Sequence, residues 1–80
     1  MDANAVAGAF GRVVRKLRRE VQLTQEQLAL AADLQRNYVS ELELGLKQPS
    51  VTTFFKLAKA LNISPGRFAD SIETELRDSV

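Results

Sequence analysis

The stretch Leu23 to Gly45, LTQEQLALAADLQRNYVSELELG, decides the fold. Its first half reads as a helix opened by a capping box, because Thr24 is followed three residues later by Gln27. The threonine oxygen accepts from a free backbone N–H while the glutamine side chain reaches back to the cap's own N–H. The helix therefore begins near Gln25. Leu28 with Ala29, then Ala32, follow at helical spacing, so a narrow stripe of small and medium side chains is buried, and Ala31 with Ala32 are expected to keep the crossing with a second helix tight. Asp33-Leu34 interrupts the pattern. A new one begins in which Val39 and Leu42 face inward while Arg36, Asn37, Ser40 and Glu41 project the other way. Gly45 supplies a left-handed stop.

Two short helices joined by a tight turn fit any helical hairpin. Here the second turns a polar face outward at its N-terminal end, where a helix entering the major groove of DNA makes its base contacts. The residues resemble the XRE and Cro/C1-type helix-turn-helix family, whose loose pattern is LR, a Leu-Ser/Thr-Gln-x-x-Leu-Ala run, Ile/Val-x-x-Leu/Ile-Glu-x-Gly, Pro-Ser and Leu-Ala-x-Ala-Leu. This chain carries Leu17-Arg18, Leu23-Thr24-Gln25, Leu28-Ala29, Val39, Leu42-Glu43, Gly45, Pro49-Ser50 and Leu57-Ala58-Lys59-Ala60-Leu61, in that order. The resemblance spans roughly residues 10 to 68. It implies an all-α, five-helix, lambda-repressor-like fold with the helix-turn-helix at about residues 24–45, and a sequence-specific transcription regulator that binds double-stranded DNA. Small size, the Arg36-Asn37-Tyr38 run and an added C-terminal helix look like the controller proteins of restriction-modification systems. Phage Cro-like repressors and toxin-linked antitoxin regulators share that outline. The reading of a different class is a helical protein-interaction module that no longer reads DNA, with Glu41, Leu44 and the low net charge as its evidence.

With 80 residues there is room for one domain, 1–80, and one core. A chain this small buries only about 60% of its unfolded surface, so stability is expected to lean on a homodimer. Cysteine and histidine are both absent, which removes disulfides, thiolate metal sites and imidazole catalysis. Neither a phosphate-cradling glycine loop nor a paired-carboxylate cleft is present, so no enzyme activity, cofactor or metal is expected. No apolar run reaches the 18 or so residues of a membrane span. The alanine-rich start (Ala3, Ala5, Ala7, Ala9) lacks the basic flank of a signal peptide, so a cytoplasmic chain beginning at Met1 is expected, associated with the nucleoid through DNA. The net charge is only +1. Its distribution says more: Arg12, Arg15, Lys16, Arg18 and Arg19 crowd one segment, while Asp70, Glu73, Glu75 and Asp78 crowd the end, which suggests a basic pole and an acidic pole orienting the molecule on DNA.

Taken in order, the first helix is expected from Asn4 or Ala5 to Val21, with Phe10, Val13, Val14, Leu17 and Val21 inward. Gly8 and Gly11 weaken its early turns by about 1 kcal/mol each, which predicts fraying before Phe10. The family usually has glycine where Gln22 stands; either the backbone keeps a left-handed cap there, which costs a non-glycine residue about 1 kcal/mol, or the turn differs slightly. Ser50 caps a fourth helix, Val51 to Leu61, with Val51, Phe54, Leu57, Ala58 and Leu61 as its stripe. Ser64-Pro65 opens a fifth, about 64–78, with Phe68, Ile72 and Leu76 at i, i+4 and i+8. That stripe exceeds the needs of a minimal domain. Ile63, Phe68, Ile72 and Phe55 are therefore the expected dimer seam, with intramolecular packing as the alternative.

For the site, arginine can donate a bidentate pair to guanine O6 and N7, and asparagine can pair with adenine N6 and N7, so Arg36 and Asn37 lead. Ser40 is short enough to reach a base edge or phosphate; Glu41 either accepts from cytosine N4 or stays solvated. Tyr38 packs at the core edge or reaches a phosphate with its hydroxyl. Thr24 and Gln25 sit at a helix N-terminus where a phosphate is received, a contact the resemblance also implies for Gln25. Lys47 and Gln48 are expected to clamp the DNA backbone. Leu44 stands where the family is commonly polar or basic, and either meets a thymine methyl or covers the loop. By resemblance, Arg18 and Glu43 form a partly buried ion pair; the alternative is Arg18 as one more phosphate-facing cation. Such a protein would act by occupancy, blocking RNA polymerase or contacting it.

Overall fold

The computed structural model describes residues 1–78; of the expected domain 1–80, positions 79 and 80 lie outside the described residues. It contains five α-helices: α1 Ala3–Glu20, α2 Gln25–Ala32, α3 Arg36–Glu43, α4 Val51–Ala60 and α5 Pro65–Asp78. The starts follow the capping chemistry. The Thr24 hydroxyl accepts from the Gln27 N–H at 3.1 Å while Thr24 N–H donates to Gln27 Oε1 at 2.8 Å, closing the expected box. Ser50 accepts from Thr53 N–H, and Ser64 from Arg67 N–H. One cap escaped the sequence reading. Asp2 accepts from Asn4 N–H, so α1 is helical from Ala3 onward, ahead of the start expected and through the turns where fraying was expected.

The helix ends repeat one device. Gln22, Asp33 and Asn62 all have φ near +60°, and Gly45 has φ +75°. Each is followed by an apolar residue whose N–H reaches back to the carbonyl five residues earlier: Leu23 to Arg18, Leu34 to Ala29, Leu46 to Glu41 and Ile63 to Ala58, at 2.8–3.0 Å. This satisfies carbonyls that the helix leaves open and lets the apolar residue pack beneath the turn. Leu23, Leu34 and Ile63 do pack against the core; Leu46 is 67% exposed. Of the two alternatives at Gln22, the backbone takes the left-handed cap, without glycine.

One apolar cluster joins the five helices. Phe10, Val13 and Val14 of α1, Leu28, Ala29 and Ala32 of α2, Val39 and Leu42 of α3, Leu57 and Ala58 of α4, Leu61 and Phe68 are all buried. Phe68 lies at its centre, with its ring stacked on Phe54 at 4.8 Å between centroids and tilted against Phe10 at 5.6 Å. Three expected core positions are exposed: Val21 at the cap that ends α1, Ala31 on α2, and Val51 at the first turn of α4. A short helix buries one narrow stripe, and Ala32 and Phe54 already occupy it.

α1 lies between α3 and α5. Gly11 is what lets it approach α3: a Cβ there would stand 2.3 Å from the Leu42 carbonyl oxygen and 2.7 Å from that of Glu43. The glycine thus serves the α1–α3 contact and is more than a weak point in the helix. Beyond α3, a Cβ on Gly45 would come within 3.1 Å of Gly8 Cα, so the turn rests on the start of α1. The two expected charge poles are not poles. α1 and α5 are neighbours, and Arg12 Nε meets Glu75 Oε1 at 2.8 Å, which places basic and acidic residues side by side.

Candidate nucleic-acid interface

The residues expected to meet DNA converge on α2, α3 and the turn after α3. Val39 and Leu42 are fully buried, and this anchors α3 with its opposite face outward. On that face Arg36 and Asn37 are exposed in the first turn, while Ser40 and Glu41 are half-buried one turn on. Neither Arg36 nor Asn37 makes a side-chain hydrogen bond or ion pair among the described residues, so their donors are available. Tyr38 is half-buried against the core cluster, which places its ring at the core edge.

The support of α3 is polar and specific. Arg18 Nε donates to Glu43 Oε2 at 2.6 Å and Arg18 Nη2 to Glu43 Oε1 at 3.0 Å, a two-pronged pairing of guanidinium and carboxylate. Arg18 Nη1 also donates to the Leu23 carbonyl at 2.9 Å. The pair therefore ties α1 to α3 and to the turn before α2. Its side chains are only 12% and 3% exposed. Hydrogen bonding to Glu43 raises the Arg18 pKa above the ordinary arginine value, against the lowering effect of burial.

Gln25 joins this network, a link the sequence reading missed. Its Nε2 donates to Glu43 Oε1 at 3.1 Å, which leaves its second amide hydrogen for another acceptor. At the same helix start the capping box occupies the Thr24 and Gln27 N–H groups, whereas those of Gln25 and Glu26 have no partner among the described residues. Gln48 is likewise engaged: its Nε2 donates to the Ala3 carbonyl at 2.6 Å, holding the turn after α3 to the start of α1. No motif marks these glutamine contacts, since each joins positions far apart in the chain. Lys47 beside it is exposed.

Of the expected dimer seam, Phe68 is excluded: with no exposed surface it fills the centre of this protomer's own core and has none left for a partner. Ile63 and Ile72 are half-buried and packed on the same cluster. Phe55 is 53% exposed, its ring edge-on to Phe54 at 5.6 Å. Among the described residues, no group of acidic residues could hold a metal ion, and no helix is long and apolar enough to cross a membrane.

The helix-turn-helix family profile matches residues 14–68, taking in α2, the turn and α3. The control protein C.BamHI of Bacillus amyloliquefaciens is 35% identical over 68 residues, covering 84% of each chain. The crystal structure of the restriction-modification controller protein C.AhdI from Aeromonas hydrophila is 39% identical, covers 78% of this chain and 94% of that one, and superposes with a TM-score of 0.75. The structure of the controller protein C.Esp1396I, a tetramer in complex with its natural 35-base-pair operator, superposes with a TM-score of 0.82 at 27% identity, over 89% of this chain and 93% of that one. This chain belongs to the helix-turn-helix family of transcription regulators.

Proposed function

We propose that this protein is a sequence-specific, homodimeric transcription regulator controlling a restriction-modification system. The observation that carries the reading is the first turn of α3, where exposed, unengaged Arg36 and Asn37 stand on a helix locked by the buried Arg18–Glu43 pair. Side chains on a rigid scaffold lose little entropy on binding. Arg36 and Asn37 read bases, Ser40 and Glu41 complete the base-facing surface, and Lys47 holds the phosphate backbone. Gln25 offers its free amide hydrogen and the N–H groups of α2's first turn to a phosphate while Glu43 holds its other hydrogen. Thr24 contributes by shaping that helix start, Gln48 by fixing the loop, and Tyr38 by packing beside α3 with its hydroxyl toward the backbone. Two such protomers would place α3 in successive major grooves about 34 Å apart on a pseudo-palindromic operator.

The reading makes the chain a cytoplasmic, DNA-associated protein without catalytic activity, acting by blocking RNA polymerase or contacting it. Selection of bound sequences from a random duplex library tests it. The expected winner is a symmetric site, on which Arg36→Ala relaxes one position in each half by about 1–3 kcal/mol of discrimination. On that site affinity should fall by roughly 10³ to 10⁵ between about 50 and 200 mM salt. A folded protein that enriches no sequence would instead favour the protein-interaction module, which the exposed Leu44 and the net charge of +1 support. A toxin gene beside this one would favour an antitoxin-type regulator; an endonuclease gene, the controller.

A further inference from the structure

Leu44 carries the outward surface of α3 one turn beyond Arg36, Asn37, Ser40 and Glu41. It is the residue that ends the helix, yet its backbone stays right-handed (φ −82°, ψ −3°) and its N–H donates to the Ser40 carbonyl at 3.0 Å. Leu44 therefore keeps the helical register. At about 100° per residue, positions 36, 37, 40, 41 and 44 share an arc of about 140° with Leu44 near its middle, opposite buried Val39 and Leu42. The side chain is 67% exposed and stands outside the core cluster and the residues packed on it, so it does not cover the loop. Both neighbours in the chain are fixed. Glu43 is held by Arg18 and Gln25, and Gly45 rests against Gly8. Leu44 is thus presented at a set place, where ordering it against a partner costs little entropy.

We infer that Leu44 is a specificity-determining residue, which packs against the C5-methyl group of a thymine in the major groove. The inference rests on the DNA-binding reading above and deepens it. A leucine side chain neither donates nor accepts a hydrogen bond, so it cannot hold a phosphate or pair with the polar groups of a base edge. Thymine alone among the four bases shows a methyl group in that groove, so an apolar residue on this face has one partner of its own chemistry. Contact takes both apolar groups out of water. Cytosine in the same place offers no methyl, and its N4 amino group would be covered by a side chain that cannot accept from it. The position of the thymine follows from the helix. Leu44 lies eight positions after Arg36, which is about 12 Å along the axis, and successive bases on a strand are about 3.4 Å apart. With α3 lying along the groove, the thymine stands about three to four base pairs from the guanine that Arg36 reads.

The test is binding to a selected operator in which each thymine in turn is replaced by uracil, for the intact chain, Leu44→Ala and Leu44→Met, with circular dichroism to establish folding. Uracil keeps every hydrogen-bonding group of thymine and lacks only the methyl. The wild type should lose about threefold to fivefold in affinity at one thymine per half-site, the worth of one buried methyl group. At that position the same uracil should leave Leu44→Ala unaffected, while Leu44→Met, still apolar and of similar volume, should respond as the wild type does. Both variants should keep the wild type's salt dependence, since Leu44 neutralises no phosphate. A wild type indifferent to uracil at every thymine would overturn the inference and leave the DNA-binding reading standing. A Leu44→Ala that responds to the uracil as fully as the wild type, even if weakened on every duplex alike, would do the same. A folded wild type that selects no operator at all would overturn both.

Discussion

On the side facing α3, α1 carries Gly11 and Arg18; on the side facing α5 it carries Val13, Leu17 and Arg12. Both sides hold an arginine–glutamate pair, but the two pairs differ in surroundings. Arg18–Glu43 is 12% and 3% exposed, whereas Arg12–Glu75 is 49% and 34% exposed. Burial makes a pair's completeness critical, because removing one partner strands a charge in a poorly solvated place. Water supplies a substitute for the exposed pair. The α3 side is therefore a polar lock that positions the recognition helix, and the α5 side is an apolar seam, packed against Phe68, that holds the domain together.

The largest effect should come from opening the lock. Glu43→Ala leaves the Arg18 guanidinium buried and frees Gln25, and should cost about 3–5 kcal/mol in chemical denaturation. The pH dependence of the lock has a definite sign. Because the folded-state pKa of Arg18 is raised, its contribution is fully present below arginine's ordinary value and lost only as pH rises through the still higher folded value. The penalty of Arg18→Ala should thus be the same at about pH 6 and about pH 9. On the other side, Phe68→Ala should cost about 3–5 kcal/mol by loss of burial and a cavity between Phe10 and Phe54, and an equal loss from both sides would show that polar and apolar seams contribute alike.

A smaller effect is expected from Gly11→Ala, since the added methyl meets backbone oxygens that cannot turn aside. Overpacking of about 1–3 kcal/mol should outweigh the roughly 1 kcal/mol gain in helix propensity, so thermal melting should fall. An unchanged or raised midpoint would show that α1 can shift from α3 without loss. The smallest effect belongs to the exposed pair: Arg12→Ala should cost about 0–1 kcal/mol and less in high salt. A cost matching that of Glu43→Ala would erase the distinction between the two sides.

Local rules were legible in the chain because they act over three to five residues. Thr24 and Gln27 announced the start of α2, Ser50 and Ser64-Pro65 those of α4 and α5, and the stripe of Val39 and Leu42 the orientation of α3. The same periodicity put Arg36 and Asn37 outward. It could not say which apolar stripe residue meets its own core and which meets solvent, because both look alike at helical spacing; Phe68 went inside and Val51 outside. Glycine was ambiguous for a similar reason. Gly11 lowers helix propensity wherever it stands, and only the nearness of the Leu42 and Glu43 carbonyls shows what it permits.

By itself, then, the sequence determined the five helices, the caps that open α2, α4 and α5, the stop at Gly45, the outward face of α3 and, through its family pattern, the Arg18–Glu43 pair. All follow from short-range hydrogen bonding, from periodicity, or from a motif long enough to be specific. Tertiary structure alone decided that basic α1 and acidic α5 lie side by side, that Gln25 is tied to Glu43 and Gln48 to Ala3, and that Leu46 and Phe55 remain exposed while Phe68 does not. Those outcomes depend on which surfaces the chain brings together across tens of residues. That is settled by the packing of all five helices around one core, and no local pattern encodes it.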